Sequence, residues 1–148
     1  MSHARQQIRD RIITTLTGLT TTGSKVYNTR LYSLVPNANL PCLLVYTNDE
    51  ACEREYGSPS TYKRMCVVSI EGIAEGNTSI ENTLDTISGE VEDALGADPN
   101  LNGKAIEISL TSTEVEITAE SEKPIGLIRL NYDVLYYTRA TNSQTPII

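Results

Sequence analysis

Hydrophobic residues recur every three to four positions in two stretches of the chain, and this spacing predicts two amphipathic helices. The first stretch runs from Arg5 to Leu19, and its apolar positions are Ile8, Ile12, Ile13, Leu16 and Leu19. The second stretch carries Ile80, Leu84, Ile87, Val91 and Leu95. Thr78 and Glu81 have the spacing of a capping box, which predicts that the second helix begins with Thr78 as its N-cap.

Apolar runs and apolar–polar alternation predict strands over residues 25–34, 40–47, 62–74, 106–117 and 128–136. The stretch 106–117 fits one long strand or a bent pair, and residues 35–39 and 118–124 are predicted turns or breaks. Helix, three strands, helix and two or three strands predict an α+β fold. Its sheet is expected to be mixed and mostly antiparallel, with about five strands and two main helices packed on it. Residues 1–140 are predicted to form one domain, followed by a flexible, patternless tail over 141–148.

A charged segment follows the second predicted strand and has neither a helix nor a strand pattern. We call residues 48–63 the arm; its candidate contact residues, with Arg64 just after it, are Asp49, Glu50, Glu53, Arg54, Glu55, Tyr56, Lys63 and Arg64. A structureless connection of this length is uncommon in a compact domain unless it is functional or disordered. The residues therefore leave two alternatives, a mobile surface loop or an arm that reaches a partner. Arg and Tyr are enriched at interface hot spots, which favours the second.

Charge is distributed unevenly along the chain. The formal net charge is −7, which counts against nucleic-acid readout because that function normally needs a basic surface. Residues 1–31 nevertheless hold five basic residues against one acid, a net charge of +4, and include Arg9, Arg11 and Arg30. Residues 71–98 hold eight acids and no base. Opposite charges permit head-to-tail pairing between copies, with the three arginines as possible subunit contacts, although solvated helix faces of opposite sign are the commoner explanation.

Candidate chemistry is sparse in this sequence. His3 is the one histidine, so one chain cannot supply a histidine-based triad or a multi-histidine metal site. The spacing of Cys42, Cys52 and Cys66 matches no zinc motif, and reduced thiols are expected. No catalytic, cofactor-binding or metal-binding residue is therefore predicted. The polar N-terminus and the lack of a long apolar run predict synthesis in the cytoplasm and no membrane partner.

Residues 5–138 resemble the tail terminator proteins of long-tailed bacteriophages, the family of minor tail protein U. The similarity is carried by short motifs in the order of the predicted elements. They are Arg11-Ile12 through Leu16 and Gly18-Leu19, Val26-Tyr27 and Arg30, Leu40-Pro41 with Val45-Tyr46 and Glu50, Arg64, Leu101 and Gly103, and Arg129, Tyr132, Val134 and Tyr136. Tail-completion and head–tail joining proteins are similar to the same pattern.

The resemblance implies a structural virion protein at the head-proximal end of the tail, assembled in the host cytoplasm. It implies a homo-oligomeric ring, a hexamer, that caps the tube of major tail tube protein, ends tube polymerisation and joins the head-tail connector or neck proteins. DNA would pass through the lumen without specific binding, and Glu114, Glu116 and Glu120 are candidate lumen residues. A tube-forming subunit, a joining or completion protein and a small-ligand-binding α+β domain are the alternatives.

Overall fold

The computed structural model describes residues 2–28, 40–57, 60–76, 79–118 and 124–147. Within these residues the chain forms two helices and six strands, in the order α1 (Ala4–Leu16), β1 (Val26–Tyr27), β2 (Cys42–Glu55), β3 (Thr61–Glu75), α2 (Ile80–Gly96), β4 (Glu107–Thr118), β5 (Ile125–Arg139) and β6 (Asn142–Ile147). The predicted α+β fold, with a mixed and mostly antiparallel sheet, is confirmed. None of the described helices is both long and apolar enough to span a membrane.

The strands form one sheet in the order β1, β2, β3, β5, β4. The two-residue pairing of β1 with β2 is parallel, and the other described pairs are antiparallel. β3 pairs with β5 along the whole length of both strands, from Thr61 with Arg139 to Glu75 with Ile125. Two strands share the other edge of β5. β4 pairs with Ile125–Leu135, and β6 pairs with Tyr137–Arg139.

Both helices pack on the same face of the sheet, which we call the helix face. The side chains that α1 buries are Ala4, Ile8, Ile12 and Leu16, and the apolar ones that α2 buries are Ile80, Leu84, Ile87, Val91 and Leu95. They meet the alternate, even-numbered residues of β3 and β5 in one core. Burying a Leu or Ile side chain contributes roughly 1.5–3 kcal/mol relative to leaving it exposed, so this layer supplies much of the driving force for folding.

The two helices show the predicted periodicity, but their ends differ from the predicted ends. α1 ends at Leu16, and its N-cap is His3, whose Nδ1 accepts a hydrogen bond from the Arg5 backbone N–H at 2.9 Å. The chain then turns through Gly18 and Gly23, whose positive φ angles of 97° and 57° favour glycine. α2 begins at Ile80, whereas Thr78 of the predicted capping box lies outside the described residues.

Two predictions of irregular structure were wrong. The arm is continuous with the sheet, because β2 extends to Glu55 and pairs with β3 as far as Thr61. The C-terminal residues form β6, which pairs with the end of β5. Neither strand has an apolar face of its own, so neither leaves an alternating signal in the sequence.

The remaining predicted strands can be compared in part. β4 is one strand with an irregular register between Leu110 and Ser112, which agrees with the long or bent strand that was predicted. Of the strand predicted over 25–34, Val26–Tyr27 form β1, whereas Lys25 and Asn28 are described but lie outside the strand. Residues 29–39, which include the turn predicted over 35–39, lie outside the described part of the chain. Residues 119–123 of the predicted break lie outside it as well.

Candidate interaction surface

The arm lies at the end of the sheet where the chain turns from β2 into β3. Residues 51–57 are all exposed, and the side chain of Tyr56 near the turn is 93% exposed. Along Asn48–Glu55, the outer edge of β2 has no strand partner among the described residues, since β1 reaches only Leu43 and Leu44. The arm therefore presents two side-chain faces and one backbone edge to its surroundings.

A buried carboxylate anchors the base of the arm. Glu50 follows a register shift in β2, and its side chain is 9% exposed. Its Oε2 accepts hydrogen bonds from Arg5 Nη1 at 2.8 Å and from Arg64 Nη1 at 3.0 Å. The hydroxyl of Tyr136 donates to its other oxygen, Oε1. Glu50 thus ties α1, β3 and β5 to the strand that carries the arm.

The surroundings of Glu50 shift the pKa values of its partners. Burial raises the pKa of the Tyr136 hydroxyl, and its hydrogen bond to Glu50 raises it further. Burial of Arg64 opposes its charge, but the hydrogen bond to Glu50 and the charge interactions with Tyr136, Glu50 and Cys52 together outweigh this effect, so its pKa lies above the ordinary arginine value. Arg64 also donates from Nε to Thr138 Oγ1 at 2.9 Å. Each charged side chain of the network thus has a partner.

The two faces of the arm differ in chemistry. Register with β3 places Arg54 opposite Tyr62 and Cys52 opposite Arg64 on the helix face. The Arg54 guanidinium lies 5.9 Å from the centroid of the Tyr56 ring and donates to Ser60 Oγ at 3.0 Å. Glu53, Glu55 and Lys63 lie on the opposite face. The helix face of the arm is thus cationic and aromatic, and its other face is mainly acidic.

Asp49 occupies the irregular part of β2 between the two registers. Neither Asn48 nor Asp49 has a paired residue on β3, and the side chains of both are exposed. The Asn48 amide donates to Ser69 Oγ at 2.5 Å, which fixes this bulge against the sheet. Asp49 is thereby held at the surface where the arm begins.

Two of the three basic residues predicted as possible subunit contacts, Arg9 and Arg11, contact different parts of their own chain. Arg11 donates from Nε to Asp98 Oδ2 at 2.9 Å, and Arg9 donates from Nη1 to Thr47 Oγ1 at 3.3 Å. Both arginines therefore contact other elements of their own chain. Arg30 lies outside the described residues. A role for these residues between subunits stays a prediction.

A polar network on the face opposite the helices was not predicted. Arg129 Nε donates to Glu71 Oε1 at 2.8 Å, and Arg129 Nη1 donates to Glu114 Oε2 at 3.4 Å. Ser69 donates to Asn131 Oδ1 at 2.6 Å, and Asn131 donates to Glu114 Oε2 at 3.1 Å. These bonds link three neighbouring strands. Polar residues at odd-numbered positions of β3 and β5 are visible in the sequence and could have indicated this network. Which of these residues contact each other, however, depends on the register of the strands.

Other chemical features are limited in the described part of the chain. It holds no cluster of three or more His, Cys, Asp or Glu side chains arranged to bind a metal ion. Glu114 and Glu116 lie on the face of β4 opposite the helices, whereas Glu120 is outside the described residues. The arm offers hydrogen bonding, charge and aromatic surface, which are the means of molecular contact.

Comparison with known proteins identifies no family. No protein-family model matches the chain, and no curated protein matches it. The solved structures similar to it include a chain from the virion of a native gene transfer agent (GTA) particle, with 18% sequence identity and a TM-score of 0.46. That similarity covers 90% of this chain and 90% of the other.

Proposed function

We propose that this chain is a structural virion protein that forms a ring on the last layer of a phage tail tube, ending tube polymerisation and joining the tail to the head connector. The observation that carries the proposal is the arm, which has a rigid base and a fully exposed tip. The sequence resemblance to tail terminators supports the specific role.

A ring of identical subunits needs a heterologous interface, in which one surface of a subunit contacts a different surface of the next. Most of the affinity in such an interface comes from a few buried anchors, with Tyr and Arg strongly enriched among them. Tyr56 and Arg54 offer both residue types at the tip. Because Glu50 holds the base with three hydrogen bonds, little conformational freedom of the strand would be lost on assembly.

Assembly provides a direct test. The purified protein is followed by native mass spectrometry and negative-stain microscopy over a concentration series, alone and with purified tail tubes. We expect closed rings near six times the 16.3 kDa subunit mass, and bound tubes that no longer elongate. Filaments would instead indicate a tube-forming subunit. Free tube elongation at saturating protein would contradict a terminator.

Point variants at the tip test the arm more sharply than a deletion of residues 51–60, because residues 51–55 pair with β3 and their loss would disturb the sheet. The double variant Arg54→Ala/Tyr56→Ala should fold normally but lose ring formation and tube capping. Asp10→Asn, at an exposed position of α1, is the control and should assemble as the unaltered protein does. Normal rings from the tip variant would remove the arm from the interface.

Passage of DNA is a separate part of the proposal. Glu114 and Glu116 would face the lumen and repel the DNA backbone, which keeps the genome from adhering. Changing Glu114, Glu116 and Glu120 to lysine should then slow genome release, and an unchanged rate would argue against a luminal position.

A further inference from the structure

Exposed large apolar side chains occur in two places on the described part of the chain. One is Tyr56 on the arm, and the other is β4 with the residue before it, which contributes Ile106, Leu110, Val115 and Ile117. The four residues in and beside β4 are 39–49% exposed. An apolar strip on an edge strand is a typical protein contact surface.

Three of these side chains, Leu110, Val115 and Ile117, lie on the helix face of the sheet. Leu110 pairs with Tyr132, Val115 with Ile128 and Ile117 with Gly126, and each of these β5 residues is buried. α2 packs over β3 and β5, since Gly72 and Gly126 lie directly below its Ile87, Ile80 and Leu84 side chains. α2 does not extend over β4, so the apolar side chains on the helix face of β4 stay exposed next to the core.

The flank of α2 forms the second side of this feature. Glu81, Asp85, Ser88 and Glu92 follow one another at three- to four-residue spacing, on the side of α2 away from α1. Glu92 accepts a hydrogen bond from Ser88 at 2.8 Å, and with Leu95, Leu110 and Tyr132 it lines a depression of about 330 Å³. Burial raises the pKa of Tyr132 to about 12, and the Glu92 charge adds to this shift.

We call this feature the groove: its floor is Leu110, Val115 and Ile117, and its wall is Glu81, Asp85 and Glu92. Apolar side chains next to carboxylates suit an occupant that combines an apolar anchor with positive charge. The helix face of the arm tip has this combination in Tyr56 and Arg54.

We propose that the groove of one copy of this chain receives the arm tip of a second copy, with Tyr56 on the apolar floor and Arg54 beside the acidic wall. This inference rests on the proposed ring function and names the surface that the arm contacts. The arm and the groove lie on the same face of the sheet but on opposite edges, β2 and β4. Because the two surfaces lie at opposite edges, their contact can repeat head-to-tail, the arrangement that can close into a ring.

Charge reversal tests the pairing through self-association measured by sedimentation velocity. The double variant Glu81→Lys/Asp85→Lys should weaken association about tenfold or more, since it places like charges against Arg54. Combining it with Arg54→Glu should restore much of the loss. Asp93→Lys, on another exposed side of α2, is the matched control and should associate normally. Circular dichroism checks that all variants are folded.

Site-specific crosslinking provides the decisive readout, both in solution and on tail tubes. In a Cys52→Ser background, chains carrying Glu55→Cys, which keeps Arg54 and Tyr56, are mixed with chains carrying Thr113→Cys, which lies on the helix face between Leu110 and Val115. After treatment with a short bismaleimide we expect a crosslinked dimer from this mixture, and none when Thr86→Cys replaces Thr113→Cys. Tubes that are capped without the crosslink between Glu55→Cys and Thr113→Cys would overturn the groove as the contact site and leave the terminator function intact. Failure of both capping and crosslinking would overturn both proposals.

Discussion

Glu50 and Arg64 form an ion pair at the base of the arm, with Oε2 and Nη1 3.0 Å apart and side chains that are 9% and 12% exposed. The two residues are close in sequence but lie on different strands, and the register shift in β2 brings them to the same face. A buried ion pair of this kind makes the position of the arm sensitive to the loss of either charge.

Removal of the carboxylate should therefore be costly. Glu50→Ala leaves Arg64 without its charge partner in a mostly buried position, and we expect a loss of about 3 kcal/mol in the free energy of unfolding, measured by urea denaturation. Glu53→Ala, on the exposed face of the same strand, is the control and should change stability by no more than about 0.5 kcal/mol. Equal effects of the two changes would contradict a structural role for the Glu50 network.

The three cysteines should differ sharply in reactivity. Cys52 is exposed on the arm, whereas Cys42 and Cys66 are buried, and burial raises their pKa values to about 11 and about 12. The thiolate is the reactive form, so at pH 8 the native protein should show one fast thiol with an aromatic disulfide reagent. Cys52→Ser should abolish the fast phase, and denaturation should expose the other two thiols. Two or more fast thiols in the native protein would contradict this burial pattern.

Asp98 should make stability depend on pH. Burial opposes its ionisation, but hydrogen bonds from Arg11 and Thr15 outweigh that effect and hold the pKa of Asp98 below its ordinary value. A carboxyl group with a lowered pKa in the folded state stabilises the fold above its unfolded pKa of about 3.9 and loses this contribution as pH falls through the folded value.

Asp98→Asn tests this linkage. The stability difference between the unaltered protein and Asp98→Asn should be largest near neutral pH and should shrink as pH falls below about 4. Denaturation curves at several pH values between about 2 and 7 would measure it. A difference that does not change over this range would mean that the Arg11–Asp98 ion pair adds nothing to stability.

Two glycines provide a matched pair for the packing of α2. A methyl group at Gly72 would lie 2.7 Å from Ile87 Cγ2 and 3.2 Å from Ile128 Cγ2, whereas Gly89 in α2 has no such neighbour within 4 Å. Isoleucine is stiff near its branch point, so Gly72→Ala should destabilise the protein by about 1–3 kcal/mol. Gly89→Ala should stabilise it by up to about 1 kcal/mol through helix propensity. Thermal unfolding of both variants measures the contrast, and a Gly72→Ala variant at least as stable as the unaltered protein would refute the packing of α2 on β3.

Elements whose hydrophobic periodicity reports burial were predictable from the sequence alone. The apolar positions of α2 and the alternation in β5 correspond to the side chains that the structure buries, because a helix or strand with one buried face needs apolar residues at its own repeat. Pro41 likewise marked the start of β2, which begins at Cys42. Fold class followed from the order of these elements.

Features that depend on partners far away in the sequence became visible only in the folded chain. β2 beyond Glu50 and β6 are polar strands, formed because neighbouring strands offer hydrogen-bonding edges. Contacts such as Arg5 with Glu50, and Arg129 with Glu71, depend on strand register and helix placement. The exposure of the apolar side chains of β4 depends on where α2 stops covering the sheet. Local sequence carries no record of these distances, which arise when the layers pack together.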